Sequence, residues 1–188
     1  MSLIFVMDRV DNSKVVEYQK KNPDDFFMPK DLSVLDRGYP GVSGFFSHFA
    51  RGRETGRLTV PRDRLLFFGA AREGEIVVNT SRVTGYHGLD GGDVSGAMRE
   101  GLRQVEEISS FARDEIPGFE KSRVVRVADH VGVRETRRLL GRYVMNEHDV
   151  VENAHFDDAV AKGAYPMDIH SSKDAGLKSV MLSGKGDR

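Results

Sequence analysis

The sequence predicts an α+β fold: a mainly antiparallel β-sheet packed against one long helix, with several short helices. Three observations carry that prediction. Arg64–Phe68 and Glu75–Val83 are strand-like runs joined by a turn over Ala70–Gly74, which reads as an antiparallel hairpin. Between Asp93 and Ile116, apolar residues recur at three- and four-residue steps, the spacing of one helical stripe. Further β-branched runs stand at Leu3–Met7, Lys121–Ala128 and Val131–Tyr143. No internal repeat, low-complexity tract or clear linker divides the chain, so one layered domain is the simplest account.

Taken in order, Leu3–Met7 is a strand followed by a polar turn over Asp8–Asn12. Asn12 or Ser13 caps a short helix to Lys21, with Val15, Val16 and Tyr18 on its apolar side, and Asn22-Pro23 stops it. Asp24–Pro40 is loop-like, and its Phe26, Phe27 and Met28 require burial. Val42–Arg53 reads as a second helix carrying Phe45, Phe46 and Phe49. His48 lies among them and reads as a satisfied or partly exposed histidine rather than a ligand. In the returning strand of the hairpin, Ile76 and Val78 share one face, and Val77, Asn79 and Ser81 the other.

Thr84–Gly92 is glycine-rich, yet its spacing matches neither G-x-G-x-x-G nor the P-loop, and a plain linker is the better reading. Asp93 caps the long helix, roughly 36 Å in length at 1.5 Å per residue, and Pro117-Gly118 ends it. Beyond the arginine-rich stretch, Asn146 caps a short helix with His148, Asp149 and Val150. Phe156–Lys162 is a further helical turn or two. Tyr165–His170 is extended, Ser171–Gly176 is a polar loop, and Leu177–Leu182 is a last strand. The domain spans 4–182. Residues 1–3 read as an appended start joined onto the middle of a strand, and 183–188 as a fraying tail.

Bulk properties exclude several classes of function. The 188 residues are enough for one domain with a sizeable core. A hydrophobic share of 39% and a charged share of 30% describe a soluble, somewhat polar chain. Net charge is −1, so no general attraction to nucleic acid or anionic membrane is expected. With no cysteine, disulfides, thiolate nucleophiles and Cys-ligated metals are excluded within this chain, which fits a cytoplasmic setting. No apolar run approaches the roughly 20 residues of a membrane span.

The stretch V-G-V-R-E-T-R-R-L-L-G-R-Y, Val131–Tyr143, draws the eye as a charged strand. Alternation would place Arg134, Thr136, Arg138, Leu140, Arg142 and Val144 on one face. Val133, Glu135, Arg137, Leu139, Tyr143 and Met145 would share the other. A charge on that more apolar face needs a partner or a ligand. Two readings stand side by side: a structural Glu–Arg pair, or an anion-facing site in which arginine forks hold a carboxylate or phosphate. Elsewhere, Asp168 and His170 flank Ile169 in an extended segment, and a histidine beside a carboxylate is a proton-transfer candidate near neutral pH. It is also a common structural hydrogen bond. His155, Asp157 and Asp158 lack any recognised metal spacing and read as a surface cluster; no metal site is expected.

The arginine-rich stretch with its continuation V-M-N-E-H-D-V, then F-D-D-A-V-A-K-G-A-Y-P-M-D-I-H, resembles the family of FAD-dependent oxidoreductases that includes proteins labelled xanthan lyase-like. Upstream, V-P-R-D-R-L-L-F-F and the long helix after it are similar to the same family, in the same order. The resemblance covers about Ile4–Ile169. Such proteins begin with a dinucleotide-binding βαβ unit carrying G-x-G-x-x-G and end with a second flavin-contacting segment. This chain shows neither, and looks like the middle of such an enzyme. The resemblance implies FAD in the full-length protein, with none bound to this part alone. It implies that the arginine stretch and D-I-H face the substrate side of the flavin. Arg134, Arg137 or Arg138 would hold an anionic group, Glu135 would orient an arginine, and His170 with Asp168 would serve as acid or base. The implied partners are the FAD-binding domain of the same polypeptide and a small-molecule substrate, with a homodimer through uncovered apolar surface a further expectation. The competing reading is a stand-alone anion- or protein-binding module using the arginine-rich face. RNA binding through Arg123, Arg126, Arg134, Arg138 and Arg142 gains little from the near-neutral charge, and no aromatic stacking pattern accompanies those residues.

Overall fold

A computed structural model of the chain describes residues 1–27, 41–161 and 163, and the two strands 167–170 and 177–180. The expectations for 28–40, for 171–176 and for the tail 183–188 lie outside the described residues. The chain falls into two compact units, Met1–Thr136 and Arg137–Arg188, and the division cuts through the arginine-rich stretch.

In the first unit, β1 (Phe5–Asp8), β2 (Gly41–Gly44), β3 (Leu65–Gly69), β4 (Ile76–Val78) and β5 (Arg123–Val127) form one sheet in the order β2-β3-β4-β1-β5. Every neighbouring pair is antiparallel. Among the described residues three α-helices and a short 3-10 turn at Pro23–Asp25 accompany the sheet: α1 (Asn12–Lys21), α2 (Phe46–Glu54) and α3 (Gly91–Glu115). The expected α+β architecture with one long helix is therefore the observed one.

Strand alternation sets the core. Phe5 and Met7, Leu65 and Phe67, and Ile76 and Val78 are each almost fully buried. Burial of such side chains stabilises by about 1.5–3 kcal/mol apiece before chain entropy is counted. Val105, Ile108, Phe111 and Ala112 of α3 join the same apolar cluster, and Phe111 meets Phe49 of α2 edge-on at 5.6 Å. Leu102, expected on the stripe, is exposed; Gly101 instead sits against Leu3. Leu3 is itself fully buried, and Ser2 bridges to Gly132, so the first residues are built into the fold.

The hairpin forms as expected, with Phe67 opposite Val78 and Gly69 opposite Ile76. Its returning strand stops early, because hydroxyls replace the ladder. The Thr80 hydroxyl accepts from Leu66 N at 2.8 Å and donates to Leu66 O at 3.1 Å. The Ser81 hydroxyl does the same with Leu3, at 2.7 and 2.9 Å. Both side chains are buried.

Several boundaries differ from the sequence reading. Val42–Arg53 is not one helix: Gly41–Gly44 pairs with β3, and Phe45 takes a left-handed conformation (φ 60°) before α2 begins. The pairing partner lies more than twenty residues away, so local propensity cannot reveal it. α1 is capped by Asp11, whose carboxylate accepts from Lys14 N, rather than by Asn12 or Ser13. α3 starts from Asp90, which accepts from Asp93 N at 2.9 Å, while Asp93 reaches back to His87 N at 2.7 Å. Phe26 is buried, but Phe27 is exposed.

The largest correction concerns Val131–Tyr143, which is not a strand. Gly132 alone makes a bridge, and residues 132–148 are all exposed. Arginines on both prospective faces leave no side that burial could favour, and both edges of β1 are already taken by β4 and β5.

In the second unit, α4 (Glu147–Val151) carries the expected Asn146 cap, completed by Asp149 as a capping box. Tyr143 donates to Asp149 and packs at 5.3 Å from Phe156. Phe156–Lys162 is not helical over its described residues, which make one hydrogen-bonded turn, Ala159 N to Phe156 O at 3.1 Å. β6 (Met167–His170) and β7 (Leu177–Val180) pair antiparallel, with Asp168 opposite Ser179 and His170 opposite Leu177.

Candidate functional site

The segment carrying Arg134 is held from both ends of the first unit. Ser2 N donates to Gly132 O at 3.1 Å, and Gly132 N to Ser2 O at 2.7 Å. Val131 is buried. Val133 and Thr136 then lean on the glycine-rich loop. A Cβ on Gly88 would lie 2.4 Å from Val133 Cγ1 and 2.9 Å from Thr136 Cγ2, so only glycine permits this approach. The loop that reads as a plain linker is thus a packing surface for the arginine-bearing segment.

Two further guanidiniums gather near the same place. Arg82 is 9% exposed; its main chain exchanges hydrogen bonds with the buried Gln104 side chain, at 2.7 and 2.9 Å, and its Nη1 donates to Pro61 O at 3.5 Å. Arg62 Nε donates to Thr80 O at 3.0 Å. Burial, then the charge of Arg82, depresses the Arg62 guanidinium to about 10, with Arg64 and Arg134 adding to the effect and Asp63 opposing it. Asp63 is itself gripped by Arg64 through two contacts of 2.8 Å. The Met1 ammonium donates to Val83 O at 2.6 Å, Val83 N donates to Met1 O at 2.8 Å, and Ser2 pairs with Gly132, so Met1 and Ser2 link the segments that carry Arg82 and Arg134; burial, then Arg134, Arg82 and Arg62, lowers the Met1 ammonium. Sequence reading singled out Arg134 but missed Arg62 and Arg82, which lie far from it in the chain and become neighbours only through the hairpin and the Ser2–Gly132 bridge.

The other expected site residues are divided. Arg134 and Glu135 belong to the first unit, while Arg137, Arg138, Asp168 and His170 belong to the second. Arg134, Glu135, Arg137 and Arg138 are all exposed. Val133, Glu135 and Arg137 do not form the shared strand face that alternation suggested, because there is no strand. Asp168 and His170 occupy alternate positions of β6. His155, Asp157 and Asp158 are exposed, and among the described residues no group of three or more His, Asp or Glu is placed to hold a metal.

A second cluster joins α1 to α2. The Asp25 carboxylate accepts from Ser47 N at 2.6 Å, from the Ser47 hydroxyl at 2.9 Å and from the Tyr18 hydroxyl at 3.2 Å. His48 Nδ1 lies 3.6 Å from the same carboxylate and 3.3 Å from Ser47 Oγ. Serine, histidine and aspartate are together, yet Asp25 grips the serine rather than orienting the histidine from behind, which is the wrong order for a nucleophilic set. The arrangement caps the helix: a carboxylate from a neighbouring turn accepts the Ser47 N–H in the first turn of α2. His48 is buried among Phe45 and Tyr18, as its sequence neighbours suggested, and burial holds it below its ordinary value. An open cavity of about 410 Å³ borders Tyr18, Asp25 and Ser47.

Comparison with known families matches residues 1–186 to the model described as FAD dependent oxidoreductase. No curated protein and no solved structure matches the chain.

Proposed function

This chain belongs to the FAD dependent oxidoreductase family, and from that premise we propose that it forms the substrate-facing part of such an enzyme. The observation that carries this reading is the topology. A dinucleotide cradle needs a parallel strand–turn–helix whose open helix N-terminus meets the pyrophosphate. Here both sheets are antiparallel. The glycine-rich loop that leads into α3 meets a helix N-terminus occupied by Asp90 and Asp93, whose carboxylates take the N–H groups of Asp93 and His87. A phosphate there would meet like charge. The described residues therefore do not fit the FAD cradle, and the dinucleotide fold would come from elsewhere in the enzyme.

What these residues offer is recognition. Arg134 stands exposed on a segment anchored to the N-terminal residues by the Ser2–Gly132 bridge, a base for a guanidinium fork. Leu139, Leu140, Tyr143, Val144 and Met145 present apolar surface in the second unit, consistent with a face that the rest of the enzyme covers. Asp168 and His170 remain the acid–base candidates. The test is direct. The purified protein is expected to be colourless, and fluorescence titration with FAD to give no saturable binding. A yellow protein carrying one flavin per chain would place the cradle here and defeat the reading.

A further inference from the structure

We propose that Arg62, Arg82 and Arg134 together form an oxyanion-binding site at the junction of the β3–β4 hairpin with the Ser2–Gly132 bridge. It deepens the substrate-facing reading by naming the ligand class, carboxylate or phosphate, and rests on that reading only for the ligand's role in the enzyme. Anion binding itself is a property of this chain.

The three side chains arrive from three separate segments, each fixed. Arg62 follows Pro61 and is tethered through Nε to Thr80 O at 3.0 Å. Among the described residues this is the one hydrogen bond of its guanidinium, which leaves the Nη edge to donate elsewhere. Arg82 is held through its main chain to Gln104, and Gln104 is steadied by Glu100 at 2.9 Å. Arg134 comes two residues after the bridge at Gly132. The nearest carboxylate acting on Arg62, Asp63, is engaged bidentately by Arg64. Like charges at a half-buried Arg62 and a buried Arg82 repel one another and lose solvation, a cost to which the exposed Arg134 adds its charge. The depressed affinity of Arg62 for its proton is that cost made visible. A bound oxyanion removes it, accepting N–H donors from planar forks that suit carboxylate and phosphate alike.

The test uses the 188-residue chain and two probes, inorganic pyrophosphate and succinate, titrated by calorimetry at low and moderate sodium chloride. Pyrophosphate stands for a phosphate-bearing substrate, and succinate for a carboxylate substrate. Saturable binding of either, weakening with salt, is expected. R62Q and R134Q should each weaken it by about tenfold or more, the worth of one charge-assisted contact. R72Q, in the exposed turn at the other end of the hairpin, should leave it within about twofold, which separates a built site from general surface charge. R82K keeps the charge where R82Q risks the fold, and should weaken binding without lowering the melting temperature. Failure of both probes to bind, or equal binding by R62Q/R134Q, overturns the proposal. So does a loss in R72Q as large as in R62Q. Because no flavin enters the measurement, a failed anion site leaves the substrate-facing reading standing, and stoichiometric flavin would defeat that reading while leaving the anion site intact.

Discussion

Glu107 ties the Thr59–Val60 connection to α3. Its carboxylate accepts from Thr59 N, from Val60 N at 2.9 Å, from the Thr59 hydroxyl at 2.9 Å and from Arg103. Burial alone would raise its pKa, but these donors outweigh burial and hold it below the ordinary 4.5. E107A strands two backbone N–H groups beside the core and should cost about 2 kcal/mol, read from the urea midpoint. Since the folded form binds the proton more weakly than the unfolded chain, this contribution is complete above the ordinary value and is lost as pH falls below it. His48 acts in a different window. Burial, then Arg51, lowers its pKa from 6.5, against an opposing pull from Asp25. Above pH 6.5 neither state carries the proton; below it the unfolded chain takes a proton that the folded chain refuses, so stability declines as pH falls. A melting series carried from pH 8 to below 6.5 should show this decline, and H48Q should flatten it below 6.5.

At the level of elements, one backbone contact where α1 meets the end of α3 can be tested directly. Asp11 N donates to Gly118 O at 2.8 Å, and Gly118 holds φ +91° with its missing Cβ only 2.6 Å from Asp11 O. G118A adds both strain and a clash, and should cost about 2 kcal/mol or more by chemical denaturation. The reverse result is expected in the arginine-rich stretch. Leu139 is 96% exposed and Leu140 is 89% exposed. L139D and L140D should change stability by no more than about 0.5 kcal/mol, whereas a place on a buried sheet face would make them costly. The hairpin, the long helix and the Asn146 cap were legible because their signals are local: alternation, a three- and four-residue stripe, and a side chain beside the N–H it accepts. The arginine stretch misled because its period suits a strand while its charges forbid a buried face.

For the whole molecule, the first unit is organised by a core in which Phe5, Phe67, Phe49 and Phe111 meet across sheet and helices. Phe67 is fully buried and stacks edge-on to Phe119 at 5.5 Å. F67A should cost about 3–5 kcal/mol, seen as a large fall in melting temperature with loss of the cooperative transition at the extreme. Membership of a flavoprotein family and an antiparallel, non-cradling sheet fit together if recognition and cofactor binding are divided between parts of the enzyme, as the flavin titration would show. By itself, the sequence determined the α+β class, the long amphipathic helix, the hairpin and the family, since each is written in neighbouring residues or in motif order. Only the tertiary structure decided that Gly41–Gly44 is an edge strand and that the arginine stretch is an exposed segment anchored at Gly132. It also decided that Arg62 and Arg82 stand with Arg134. Those outcomes depend on which distant backbone completes a hydrogen bond and which charges burial brings together, and neither is encoded within a single run of the chain.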